Sequence, residues 1–195
     1  MANTALSTFR FPQGTSIAQA QPPQHAVVTT HSPALEVMTD LTQVRAATVA
    51  PGLTLAQTEL SMIHQGVRLL FVVNNQLSVD GIITASDLHG ERPMRLVHQR
   101  GMKYESMTVT DLMTPLSEIN AIDYGALKHA TVAKVIDTLL NSSQPHLLVI
   151  EHASASAPVR IRGIISKTQV ERQLGTQLQS REIANTFAEI EQALV

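Results

Sequence analysis

The stretch Gly81-Ile82-Ile83-Thr84-Ala85-Ser86-Asp87-Leu88 follows the apolar run Leu69-Leu70-Phe71-Val72-Val73, and Gly163-Ile164-Ile165-Ser166-Lys167-Thr168-Gln169-Val170 follows His146-Leu147-Leu148-Val149-Ile150. The same corner is built twice, with an acid in one copy and an amide in the other. Outward from it the correspondence continues: Met38 stands 75 residues before Met113, Thr54 stands 77 before Thr131, and Gly81 stands 82 before Gly163. The separation grows in two places only. One is ahead of the second copy's first helix; the other is the small-residue and Pro stretch from His152 to Arg160, which suits a hairpin loop. Insertions confined to turns are what a duplicated fold tolerates.

Each copy reads the same way. Thr54 followed by Gln57 makes a capping box for a helix over 55–65 that ends at Gly66, a residue suited to a left-handed C-cap. Strands are expected at 69–73 and 79–83, joined by a turn at Asn74-Asn75. In the second copy Val132, Val135, Ile136 and Leu139 fall on one helical face over 132–140, and strands are expected at 146–150 and 160–165. Short β segments around 47–50 and 122–127 complete two β-α-β-β-α units. Units of this size bury too little surface alone, so they are expected to pack face to face.

The organisation expected is an arm over 1–34, partly disordered, a first repeat over 35–103 and a second over 104–175. An amphipathic helix over 176–195 would carry Ile183, Phe187, Ile190 and Leu194 on one face.

Composition narrows the function. Of 195 residues, 44% are hydrophobic, enough for a buried core, and 15% are charged. The net charge of −2, the 3% aromatic content and the lack of Lys/Arg runs argue against a nucleic-acid partner. Without Cys there is no disulfide framework, thiolate metal site or cysteine nucleophile. No stretch reaches the roughly 18 apolar residues of a membrane span, and the start reads as no signal peptide. A cytoplasmic protein is expected. The eight His follow no metal-binding spacing, and no nucleophile, base and orienter set can be assigned. Arg92, Arg95 and Arg100 form a solvated face.

At the corner, Thr84 and Asp87 make a capping box, as Ser166 and Gln169 are expected to. Capping alone is therefore satisfied by either residue. An ionised carboxylate can also accept from two neighbouring hydroxyls, as a ribose diol presents them, and Gln169 cannot. Free amides at the same helix start are expected to receive a phosphate.

The order of VMT or LMT segment, Thr-capped helix, apolar strand and Gly-apolar-apolar-Thr/Ser-x-x-Asp corner, met twice, resembles a tandem pair of CBS (cystathionine beta-synthase) domains, a Bateman module, over about residues 35 to 175. The resemblance implies an α+β fold, two β-α-β-β-α repeats packed with pseudo-two-fold symmetry, and assembly as a homodimer. It implies a non-catalytic regulatory module with no required cofactor or metal. Such a module senses AMP, ADP, ATP or S-adenosylmethionine between the repeats and signals to a separate protein target. Carried over residue by residue, Thr84, Ser86 and Asp87 hold ribose and phosphate, Ile82 lies against the adenine, and Tyr124 and His146 close the site. A second, degenerate site draws on Thr42, Ala47, Arg68 and Ser166, where Gln169 departs from the family's acid. The alternative is a ligand-independent dimerisation or interaction scaffold.

Overall fold

The computed structural model describes residues 8, 10, 12–16, 28–142, 144–152 and 159–178. The loop tip at 153–158, most of the 1–34 arm and the expected C-terminal helix beyond residue 178 lie outside the described residues.

Strand β1 (Thr39–Asp40) leads into β2 (Thr48–Val49), α1 (Leu55–Gln65), β3 (Leu69–Val73), β4 (Val79–Thr84), α2 (Ala85–His89) and α3 (Arg92–Arg100). The second half repeats the order with α4 (Val109–Leu112), β5 (Thr114–Pro115), β6 (Ala121–Asp123), α5 (Tyr124–Leu127), α6 (Val132–Ser142), β7 (His146–His152), β8 (Val159–Ser166) and α7 (Lys167–Leu174). The local signals act as their chemistry requires. Gln57 N donates to Thr54 Oγ1 (3.3 Å) while Thr54 N donates to Gln57 Oε1 (3.0 Å), and Gly66 ends α1 at φ 65°. Around 122–127 the expectation of a β segment is corrected. Asp123 closes the short β6, its Oδ1 accepts from Ala126 N (2.9 Å), and that cap starts the helical turn α5.

The two sheets are β2-β3-β4-β5 and β1-β8-β7-β6. Each therefore contains one strand from the other half of the chain. Thr39 and Asp40 pair with Ile164 and Gly163, while Thr114 and Pro115 pair with Ile82 and Gly81. The exchange extends to the residues just before each of these strands. Val132 N and Ala133 N donate to Ser32 O and Thr30 O, and Ala34 N to Ala130 O. In the other half Val109 N donates to Leu53 O and Leu55 N to Met107 O. Val28 and Ala34 are buried in the second repeat's core, so the end of the arm is an ordered cover for the start of α6.

The exchange explains the glycines of the duplicated corner. A Cβ on Gly81 would meet Thr114 C at 3.0 Å and Pro115 Cα at 3.1 Å, with Thr114 O closer still. A Cβ on Gly163 would meet Met38 Sδ at 2.7 Å and Thr39 O at 2.8 Å. Only glycine lets the incoming backbone lie this near. Arg162 fixes β1 further: its Nε and Nη2 donate to Asp40 Oδ1 (3.0 Å) and Oδ2 (2.8 Å), a bidentate fork. Each repeat has its own apolar core, and Phe71, Ile82 and Leu148 form a third between the sheets.

Candidate functional site

The first corner is a complete cap. Thr84, buried at the end of β4, donates from its amide (2.8 Å) and hydroxyl (2.6 Å) to Asp87 Oδ2, and Asp87 N donates to Thr84 Oγ1 (3.2 Å). The other carboxylate oxygen, Oδ1, stands 3.6 Å from Arg92 Nη1. Ala85 N donates to Arg68 O (2.9 Å). The amides of Thr84, Ala85 and Asp87 are thus engaged by protein.

The same constellation recurs where there is no corner. Thr108 donates from amide and hydroxyl to Asp111 Oδ2 (both 2.9 Å), and Arg100 Nη1 stands 3.6 Å from Asp111 Oδ1. Helix α3 thus places an arginine from each end against the acid of a Thr-x-x-Asp cap. Capping, with no ligand, accounts for the whole arrangement at Asp87.

A cleft of about 600 Å³ runs between the repeats along Phe71, Val73, Leu116 and Ile161, and two further clefts open between them at corresponding positions of the duplicated fold. The smaller of this pair, about 200 Å³, is lined by Ile82, Thr84, Ser86 and Asp87, by Thr114 beside Ile82, and by Ile119, Gln144 and His146. Tyr124 is not among its walls: its ring lies 4.6 Å under the Arg162 guanidinium and packs against the second repeat's core. An aromatic at the end of a short strand is drawn to the paired cation rather than to the cleft.

The larger cleft of the pair, about 430 Å³, is lined by Arg45, Arg68, Ser166, Gln169 and His146, with Leu41, Val44, Ala46, Ala47, Leu69, Phe71 and Ile164 as apolar walls. Ala47, Arg68 and Ser166 all line it. Thr42 is elsewhere, its amide (2.8 Å) and hydroxyl (2.7 Å) both donating to Asp40 Oδ1 in a local turn. The expected Ser166–Gln169 capping box is also absent. Ser166 makes no side-chain cap, because Gln169 Oε1 accepts instead from the Arg172 guanidinium at 2.6 Å, and a charge-assisted bond outweighs one from a neutral amide. Ser166 is left facing the cleft.

The clefts differ most in charge. Where the smaller has Asp87 and Pro145, the duplication puts Gln169 and Arg68 in the larger. Arg45, which the repeat pattern does not single out, adds a second cation. Among the described residues neither Arg45 nor Arg68 has a carboxylate within 4.0 Å, whereas Arg92, Arg95, Arg100, Arg160 and Arg162 each do. His146 touches both clefts. Burial holds its imidazole below the usual histidine range, and the negative charge of Asp87 acts in the opposite direction. At β1, the hydrogen bonds from Arg162 and then Thr42 hold the Asp40 carboxyl well below the usual carboxylate range.

Among the described residues no cluster of three or more His, Asp or Glu could hold a metal, and no helix is long and apolar enough to cross a membrane. No known family profile matches the chain, and no curated protein does. Solved structures do. An uncharacterised conserved protein from Pyrococcus horikoshii is 19% identical, with a TM-score of 0.53 over 78% of this chain and 98% of its own. A hemolysin-like protein containing a CBS domain, from Oenococcus oeni, is 18% identical, with a TM-score of 0.50 over 74% and 91%. The CBS domain of a bacterial CNNM/CorC family Mg2+ transporter, solved with an inhibitor, is 13% identical, with a TM-score of 0.51 over 77% and 80%. At these identities the likeness concerns the fold, and the fold is that of a tandem CBS-domain pair.

Proposed function

From the fold of a tandem CBS-domain pair, we propose that this chain is a non-catalytic regulatory module that senses an adenine nucleotide between its repeats and passes the signal to a separate protein. The observation that carries the reading is the larger cleft. It has the volume of a small-molecule site, apolar walls suited to a base, and two arginines without a carboxylate partner among the described residues. Phosphates are the chemistry that complements them. The same charge disfavours S-adenosylmethionine, whose sulfonium and ammonium would face Arg45 and Arg68. The Asp87 cleft suits the nucleotide less well, being half the size, with a carboxylate already committed to Thr84 and Arg92.

Calorimetric titration with ATP, ADP, AMP, adenosine and S-adenosylmethionine tests this. Affinity is expected to rise with phosphate number and to drop by about tenfold or more for the two ligands without phosphate. Binding of adenosine as tight as ATP, or of none of the five, would contradict it.

The scaffold reading has one observation in its favour: Leu60 and Ile63 on α1 and Met94 on α3 are more than half exposed. A homodimer formed through these faces fits either reading. Light scattering that returns a dimer, together with no binding of any of the five ligands, would select the scaffold.

A further inference from the structure

His146 is the only side chain among the described residues that lines both clefts. It opens β7 opposite Ser166, the position held in the first repeat by Leu69 opposite Thr84. The duplicated fold therefore accepts an apolar side chain here, and packing alone does not call for an imidazole. Among the described residues the ring has no hydrogen-bond partner. Its nitrogens are not among the fully buried unsatisfied atoms either, so they reach cleft space.

We propose that His146 is a proton-linked coupler between the two clefts: an anion held beside Arg45 and Arg68 favours the imidazolium, and Asp87 on the other side stabilises the same charge. The inference rests on the larger cleft's being an anion site, and it assigns the regulation of that site. The charged groups around the ring are few. Asp87 faces it across the smaller cleft, with Arg92 against the far carboxylate oxygen at 3.6 Å. Arg45 and Arg68 share the larger cleft with it. On α7, Lys167 is paired with Glu171 at 4.0 Å and Gln169 is neutral.

The sign follows from linkage. Burial holds its pKa below the usual histidine range, which favours the neutral imidazole in the free protein. A bound anion raises that pKa, so binding takes up a proton, and anion affinity increases as pH falls. The increase is about tenfold for each unit by which the anion raises the imidazole pKa. It levels off once the free protein is itself protonated at this site.

The full chain is titrated with sulfate, whose charge is constant between about pH 5.5 and 8, and with ATP at about pH 8, where a histidine is neutral. In parallel, NMR follows the histidine ring resonances, with His146 assigned by comparison with His146→Leu, the residue found at the corresponding position of the first repeat. The expected result is a 5- to 10-fold rise in sulfate affinity from about pH 8 to 5.5 in the parent and a flat profile in His146→Leu. Sulfate should raise the His146 pKa, and Asp87→Asn should lower it. A pH profile unchanged in His146→Leu, or His146 resonances indifferent to saturating sulfate, would overturn the coupling while ATP binding at about pH 8 still upheld the nucleotide site. Failure of both ATP and sulfate to bind would bring down both proposals.

Discussion

Gly81→Ala probes the strand exchange on which the architecture depends. The added Cβ would stand 3.0 Å from Thr114 C and 3.1 Å from Pro115 Cα, and nearer to Thr114 O, all main-chain atoms of β5. No rotamer change relieves a backbone contact, so β5 must move away from β4. Overpacking alone costs about 1–3 kcal/mol, and loosening the Gly81–Pro115 and Ile82–Thr114 pairing adds about 1 kcal/mol or more for each backbone group left unpaired. A total of about 3–5 kcal/mol is a large part of the roughly 5–15 kcal/mol that stabilises a typical protein. Gly163→Ala meets the swingable Met38 thioether and Thr39 O at 2.8 Å, so a smaller loss of about 1–3 kcal/mol is expected. Gly52 has nothing within 4 Å of a built Cβ, and Gly52→Ala serves as the control. Urea unfolding of the four proteins, followed by circular dichroism, gives the comparison. If Gly81→Ala were as mild as Gly52→Ala, β5 would not lie against β4 and the exchange would be wrong.

Asp87→Asn and Asp111→Asn each remove the charge from a Thr-x-x-Asp cap backed by an arginine, and thermal unfolding should show similar losses of about 1 kcal/mol; a loss confined to one would mean the two caps are not equivalent. Leu77 holds φ 60° and is 87% exposed, so Leu77→Gly should stabilise by about 1 kcal/mol in the same assay, and destabilisation would mean the side chain has a packing partner. The Asp40 carboxyl titrates below its unfolded value, so its contribution is present above the unfolded pKa of about 3.9 and is lost as pH falls through and below that value. Asp40→Asn should accordingly weaken the acid dependence of stability, read as urea midpoints between about pH 2 and 5.

The fold was legible because the duplication repeats residues whose roles are local. Thr54 with Gln57 caps a helix, Gly66 ends it, and Gly81-Ile82-Ile83 belongs to a strand that leads into the corner. What approaches Gly81 was not legible, since nothing in Thr114-Pro115 states which sheet a two-residue strand joins. The site was legible in part. His146, Ala47, Arg68 and Ser166 fall in the clefts because homologous positions of a duplicated fold stay homologous in space. Thr42 and Tyr124 do not, because Asp40 and Arg162, far apart in sequence, form an ion pair that engages both. The Ser166–Gln169 cap was misread for a similar reason: a box is a local pattern, and Arg172, one turn on, competes for the amide oxygen. Arg45 carried no signal at all, since its importance lies in lacking a carboxylate partner, which only the packed structure can show.

The central claim, that the larger cleft is the nucleotide site, is tested most directly by titrating ATP into the parent, Arg68→Gln and Asp87→Asn side by side. Loss of one charge-assisted phosphate contact should weaken ATP binding to Arg68→Gln by about 10- to 100-fold, while Asp87→Asn stays within about threefold of the parent at a pH near 8, where His146 is neutral. The reverse pattern, with affinity lost in Asp87→Asn and kept in Arg68→Gln, would place the nucleotide at the Asp87 corner and contradict the account.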